Sequence, residues 1–118
     1  MTAKLTTHVL DTYHGKPASG VNWTLEFKEP EGDWYELSAG STNENGRTSE
    51  AIIKGKDLMT GRYRLCFDIA KYYSRMGVQL SDPPFLDQVV LQVNLVQEES
   101  YHLPLLCSPW SYSTYRGS

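Results

Sequence analysis

From Val21 to Lys28 the chain alternates at every position. Val21, Trp23, Leu25 and Phe27 are apolar, while Asn22, Thr24, Glu26 and Lys28 are polar or charged. A period of two puts these rows on opposite sides of an extended backbone, so this segment requires a sheet covered on one face and wet on the other. The pattern recurs. Leu5, Thr7 and Val9 alternate with Lys4, Thr6 and His8, which predicts a strand over 4–11 with Leu5 and Val9 inward and His8 outward. Gly61–Phe67 carries Tyr63, Leu65 and Phe67 in one row, and Val89–Val96 and Tyr101–Leu106 are apolar enough for core strands. Tyr112, Thr114 and Arg116 alternate with Ser111, Ser113 and Tyr115, so the terminal stretch also has the period of a strand.

Turn chemistry separates these runs. Tyr13-His14-Gly15-Lys16-Pro17, Glu29-Pro30-Glu31-Gly32-Asp33, Asp82-Pro83-Pro84 and Glu98-Glu99-Ser100 are breakers. Trp34–Ala39 reads as the returning strand of a hairpin. Asn45-Gly46 marks a tight turn that releases Arg47 at a fixed place before a strand over Ser49–Ile53. One helix is expected. Ile69, Tyr72, Tyr73 and Met76 fall at i, i+3, i+4 and i+7, with Asp68 as N-cap and Gly77 after the last turn. About eight strands and one short helix make an all-β, two-sheet sandwich, and 118 residues suit a single domain spanning 1–118.

Composition narrows the function. A net charge of -3, from 11 basic and 14 acidic residues, leaves no basic footprint for nucleic acid or an anionic membrane. No apolar run reaches the ~20 residues of a membrane span, and residues 1–8 lack the apolar core of a signal peptide. The two cysteines, Cys66 and Cys107, read as buried free thiols, which suits a cytoplasmic location.

Three polar residues fall on faces that the sandwich does not bury. His8 lies opposite Leu5 and Val9. His102 lies opposite the row Tyr101, Leu103 and Leu105. Arg47 leaves a tight turn. Taken singly, each is an ordinary solvated side chain. His8, Asp11 and His14 have a spacing that suggests metal, but positions 8 and 11 point to opposite faces and no paired-cysteine motif completes a ligand set. No metal site is therefore expected. Nucleophile elbows, phosphate loops and dinucleotide fingerprints are absent. Tyr72 and Tyr73 read as helix packing.

Several motifs together carry a resemblance: Thr7-His8-Val9-Leu10-Asp11-Thr12 with Gly15-Lys16-Pro17-Ala18, Asn45-Gly46-Arg47-Thr48, Gly61-Arg62-Tyr63 leading to Phe67-Asp68, and Pro104-Leu105-Leu106, Ser108-Pro109 and Tyr112-Ser113-Thr114-Tyr115-Arg116-Gly117-Ser118. The chain resembles the 5-hydroxyisourate hydrolases, the purine-degrading members of the transthyretin-like family. Ser100, where members often carry histidine, Cys107, and residues 81–86 depart from the common pattern.

The resemblance implies a sandwich of four plus four strands, paired into dimers and then into a homotetramer. Its active sites would lie in the channel between dimers, against the outer face of one sheet. It implies hydrolysis of 5-hydroxyisourate, with His8, Arg47 and His102 as the catalytic set. His102 would activate water, His8 would position it or share the proton traffic, and Arg47 would clamp the substrate. Tyr115, Arg116, Gly117 and Ser118 would form the substrate-binding floor, Ser118 offering its hydroxyl and a terminal carboxylate. No metal or organic cofactor is expected. Two other functions fit the same fold: a small-molecule carrier without chemistry, as transthyretin is for thyroid hormone, and a plain interaction module. The first would want a more apolar channel, and the second leaves the outward histidines unexplained.

Overall fold

A computed structural model describes residues 2–117. The elements run β1 (Lys4–Asp11), β2 (Lys16–Pro17), β3 (Asn22–Lys28), β4 (Trp34–Ser41), β5 (Ile53–Lys54), a 3-10 turn (Gly55–Asp57), β6 (Gly61–Asp68), α1 (Ile69–Arg75), β7 (Gln88–Leu95), β8 (Tyr101–Cys107) and β9 (Tyr112–Thr114). One sheet has the order β4-β3-β6-β7. The other has the order β2-β1-β8-β9, with β5 also on β1. The inward rows of both sheets meet in a core whose largest fully buried side chains include Tyr63, Tyr72, Tyr73, Phe67, Leu5 and Leu25. Burying an aliphatic or phenyl side chain of this kind contributes roughly 1.5–3 kcal/mol against leaving it in water.

The helix forms where its periodicity predicts. The Asp68 carboxylate accepts the Lys71 amide at 3.3 Å as N-cap, and Ile69, Tyr72 and Tyr73 are buried. Among the described residues, no helix is long and apolar enough to cross a membrane.

Three expectations change. Lys16–Pro17, read as turn, pairs with Leu10–Asp11 as a two-residue strand. Ser49–Ile53 is extended in only its last residue, because Ile52 and Ile53 are both buried and consecutive inward side chains cannot lie on a regular strand. Cys66 is only partly buried. It alternates with Leu65 and Phe67 and so stands beside Thr24 on the outer face. Cys107 is buried, and both thiols are free.

The free side of β1 is what positions the site. β1 has β8 on one side, and three short pieces complete the other. Lys16–Pro17 covers one end, Ile53–Lys54 covers the other, and the turn at Gly46 docks between them. The Val9 amide donates to the Gly46 carbonyl at 2.8 Å, and the Ala18 amide donates to the Val9 carbonyl at 2.9 Å. The residue after Gly46 is thereby delivered to the edge of β1 beside His8.

Candidate active site

β1 and β8 run parallel in a register that pairs Thr6 with His102 and His8 with Pro104. Leu5, Thr7, Val9 and Asp11 take the core side, so Thr6 and His8 take the outer face with His102. That is the phase the alternation predicts for both histidines.

Arg47 reaches them through its turn. The Gly46 amide donates to the Asn43 carbonyl at 2.8 Å, and the Asn43 side-chain oxygen accepts from the Asn45 amide at 2.9 Å and the Arg47 amide at 3.2 Å. An asparagine opening a turn and a glycine closing it are the residues such a turn favours. Gly46 has φ +75, and a Cβ there would lie 2.4 Å from the Val9 carbonyl oxygen. Only glycine lets the turn approach β1 so closely.

The electrostatics of the three residues are coupled. Partial burial, with the Arg47 charge as the next cause, holds both histidines below the ordinary 6.5, and His102 lowers His8 further. The Asn45 carbonyl partly offsets this at His8 by favouring its protonated form. Both imidazoles are therefore biased towards neutrality beside a permanent cation. A neutral imidazole takes a proton, and a guanidinium binds a polarised oxygen.

The terminal stretch joins the same face. β9 pairs antiparallel with β8, and the register continues past Thr114 to an isolated bridge between His102 and Gly117. The ladder opens between them because of Pro104. That residue falls where it would exchange hydrogen bonds with Tyr115, and proline has no amide to give. Tyr115 is thus freed from the ladder and exposed. Gly117 closes the ladder again, its amide donating to the His102 carbonyl at 2.7 Å. A Cβ on Gly117 would lie 2.7 Å from His102 Cδ2, so the bare backbone fits against the imidazole.

Arg116 is held by its neighbours. Its guanidinium lies 4.3 Å from the Tyr101 ring centroid, 3.5 Å from the Glu99 carboxylate and 3.4 Å from the Ser100 carbonyl. It lines, with Leu5, Val93, Tyr101, His102 and Leu103, a groove of about 390 Å³ at the edge of the sandwich. Ser100 also accepts the Lys4 amide on its hydroxyl at 3.2 Å, so it ties the start of β1 to this corner. Ser118 lies outside the described residues.

Asp11 and His14 form a pair that simple strand phase does not predict. Asp11 is fully buried on the core side of β1, and its carboxylate meets His14 Nδ1 at 2.5 Å and the His14 amide at 3.0 Å. Tyr72 and Tyr73 each donate a hydroxyl to it at 2.8 Å. Burial pushes the carboxyl up, but these bonds outweigh it and hold it below the ordinary 3.8. Beside it, burial pushes the Cys107 thiol up to about 11. This buried knot pins the helix to β1, and His8 takes no part in it. Thr6, Pro104 and Gly117 are the site residues whose contacts strand phase left unassigned. The signal for Thr6 was its i, i+2 relation to His8 on one face.

The profile of the HIUase/transthyretin family matches residues 5–117. A 5-hydroxyisourate hydrolase from Pseudomonas aeruginosa is 48% identical over 117 residues, covering 98% of this chain and 91% of that protein. Among solved structures, (S)-allantoin synthase superposes with a TM-score of 0.92 at 37% identity. The match covers 99% of this chain, which spans 44% of that protein's length. Sea bream transthyretin in complex with thyroxine gives 0.87 at 28% identity, covering 98% of this chain and 95% of the other. The chain belongs to the HIUase/transthyretin family.

Proposed function

We infer that this chain is a 5-hydroxyisourate hydrolase. It opens the six-membered ring of its substrate at an amide C–N bond and yields 2-oxo-4-hydroxy-4-carboxy-5-ureidoimidazoline. One observation carries the inference: two histidines biased towards neutrality share an outer sheet face with an arginine delivered by a docked turn. The 48% identity to a hydrolase of that name over nearly the whole chain supports it.

In the proposed reaction, the neutral imidazole of His102 takes a proton from water as its oxygen bonds to the amide carbonyl carbon. Arg47 holds the developing oxyanion. When the tetrahedral species collapses, the C–N bond breaks, the ring nitrogen leaves with a proton returned by imidazolium, and the carboxylic acid left behind ionises by releasing its proton to solvent. His8 orients the water or carries part of this proton traffic. Tyr115, Gly117 and Ser118 wall the substrate, and Arg116 contributes by holding the terminal stretch at Glu99 and Tyr101. No step calls for a metal or organic cofactor.

The face bearing His8 is a wall open on one side. We propose that a second copy closes it, in a homotetramer whose sites lie between dimers. Light scattering after gel filtration tests this assembly directly. The two free thiols suit the proposed cytoplasmic location.

The fold is shared with thyroxine-bound transthyretin, so architecture alone does not separate hydrolase from carrier. The deciding experiment follows the ultraviolet decay of freshly made 5-hydroxyisourate with and without the protein. A hydrolase speeds it in proportion to protein concentration. No acceleration over the spontaneous rate leaves the carrier.

A further inference from the structure

Thr6 touches neither water nor substrate in the scheme above, yet it makes one directed contact. Its Oγ1 lies 2.9 Å from His102 Nδ1. The two residues are register partners on adjacent parallel strands, so their side chains stand side by side on the outer face. Threonine branches at Cβ, which restricts χ1 and fixes where its hydroxyl oxygen sits. On its other side the imidazole meets Gly117, where the absence of a side chain permits contact. The ring is thus held along one edge by a hydroxyl and against the Gly117 backbone on the other. Among the described residues Nε2 takes no hydrogen-bond partner.

Which ring nitrogen carries the proton is set by the bond the other one makes. A base must offer a lone pair to water. Since Nδ1 is engaged by Thr6, the nitrogen left for water is Nε2, and the resting proton then belongs on Nδ1. A hydroxyl oxygen can accept that proton's hydrogen bond. When Nε2 gains the proton from water, both nitrogens become donors and Oγ1 still accepts from Nδ1. The contact therefore suits the ring before and after proton transfer without reorientation.

We propose that Thr6 is a positioning residue for the hydrolysis: its Oγ1 accepts the Nδ1–H of His102 and keeps the lone pair on Nε2. This rests on the hydrolase function inferred above. Thr6→Val keeps the branched shape and the strand preference and removes the hydroxyl, donor and acceptor together. Thr6→Ser restores it.

The test has two arms. Kinetics on Thr6→Val should show kcat lowered about 3- to 10-fold, what one ordinary hydrogen bond contributes to a tautomer ratio, with KM changed less than about twofold. Thr6→Ser should recover most of kcat. Nitrogen-edited NMR of the wild-type imidazole, at a pH where His102 is neutral, should show the proton on Nδ1, and Thr6→Val should give a mixture of tautomers. A wild-type proton on Nε2 overturns the proposal whatever the variants do. So does a folded Thr6→Val protein with wild-type kcat. A wild-type protein that leaves the decay of 5-hydroxyisourate unchanged overturns the hydrolase function itself, whereas an active enzyme indifferent to Thr6→Val overturns the proposal alone.

Discussion

Replacing Gly46 with alanine adds one methyl group beneath Arg47. The backbone there has φ +75, and the new Cβ would lie 2.4 Å from the Val9 carbonyl oxygen and 3.2 Å from Pro17 Cβ. Neither contact is with the far end of a flexible side chain, so the turn itself must move. A left-handed conformation costs a residue with a Cβ about 1–2 kcal/mol. Backing the turn away from β1 weakens the bond from the Val9 amide to the Gly46 carbonyl, about 0.5–1.5 kcal/mol more. Alanine also restricts the unfolded chain, which returns about 0.4–1 kcal/mol. The net loss is about 0.5–3 kcal/mol, a minority of the ~5–15 kcal/mol typical of a folded domain. The protein should stay folded, with a lower denaturant midpoint. Activity should suffer far more. A displacement of about 1 Å in a positioning element can cost roughly 10²-fold, so kcat/KM should fall on that order. Parallel urea unfolding and steady-state kinetics separate the two effects. A Gly46→Ala protein with wild-type kcat/KM would show that the docked turn does not place Arg47 for catalysis.

Arg47→Lys keeps the charge and loses the planar fork, so it should lower kcat/KM by about 10-fold or more while leaving the pH profile in place. Arg47→Ala removes the like charge that depresses both histidines. Its acid limb of activity should therefore move to higher pH, because the base is lost as pH falls through a histidine pKa that is now less depressed; an unmoved limb would refute this coupling. Gly117→Ala should crowd the His102 ring and lower kcat, by roughly 10-fold, with the far-ultraviolet spectrum unchanged. Asp11→Ala leaves the buried Tyr72 hydroxyl without its partner and should cost about 3–5 kcal/mol in chemical unfolding. Since folding depresses the Asp11 pKa, its contribution is full above the ordinary 3.8 and is lost as pH falls through the lower folded-state value. The acid slope of stability should accordingly be shallower in the variant.

Much of this protein is legible one strand at a time. Alternation is a local property of the backbone, so it predicted β1, β3 and β6 nearly to the residue and placed His8 and His102 on outward faces. The helix was equally plain, because its cap and its apolar face lie within a few residues of one another. Alternation failed at Ile52-Ile53, where two neighbours are buried together, and at Cys66, whose apolar character hid its outward phase. Asp11 and His14 also escaped it. Strand phase separates Asp11 from His8, but it does not describe a side chain returning from the turn that follows β1.

By itself, then, the sequence determined two outward histidines, a turn that releases an arginine, and a terminal stretch with strand character, since each depends on residues adjacent in the chain. Only the tertiary structure decided that they meet. The parallel pairing of β1 with β8 sets Thr6 against His102 across 96 positions of sequence, and the docking of Gly46 on Val9 brings Arg47 to His8. Pro104, a motif residue to which strand phase gave no role, opens the last ladder and frees Tyr115 only because β9 lies along that side of β8. Register between distant strands is fixed by the packing of both sheets at once, and no local pattern records it.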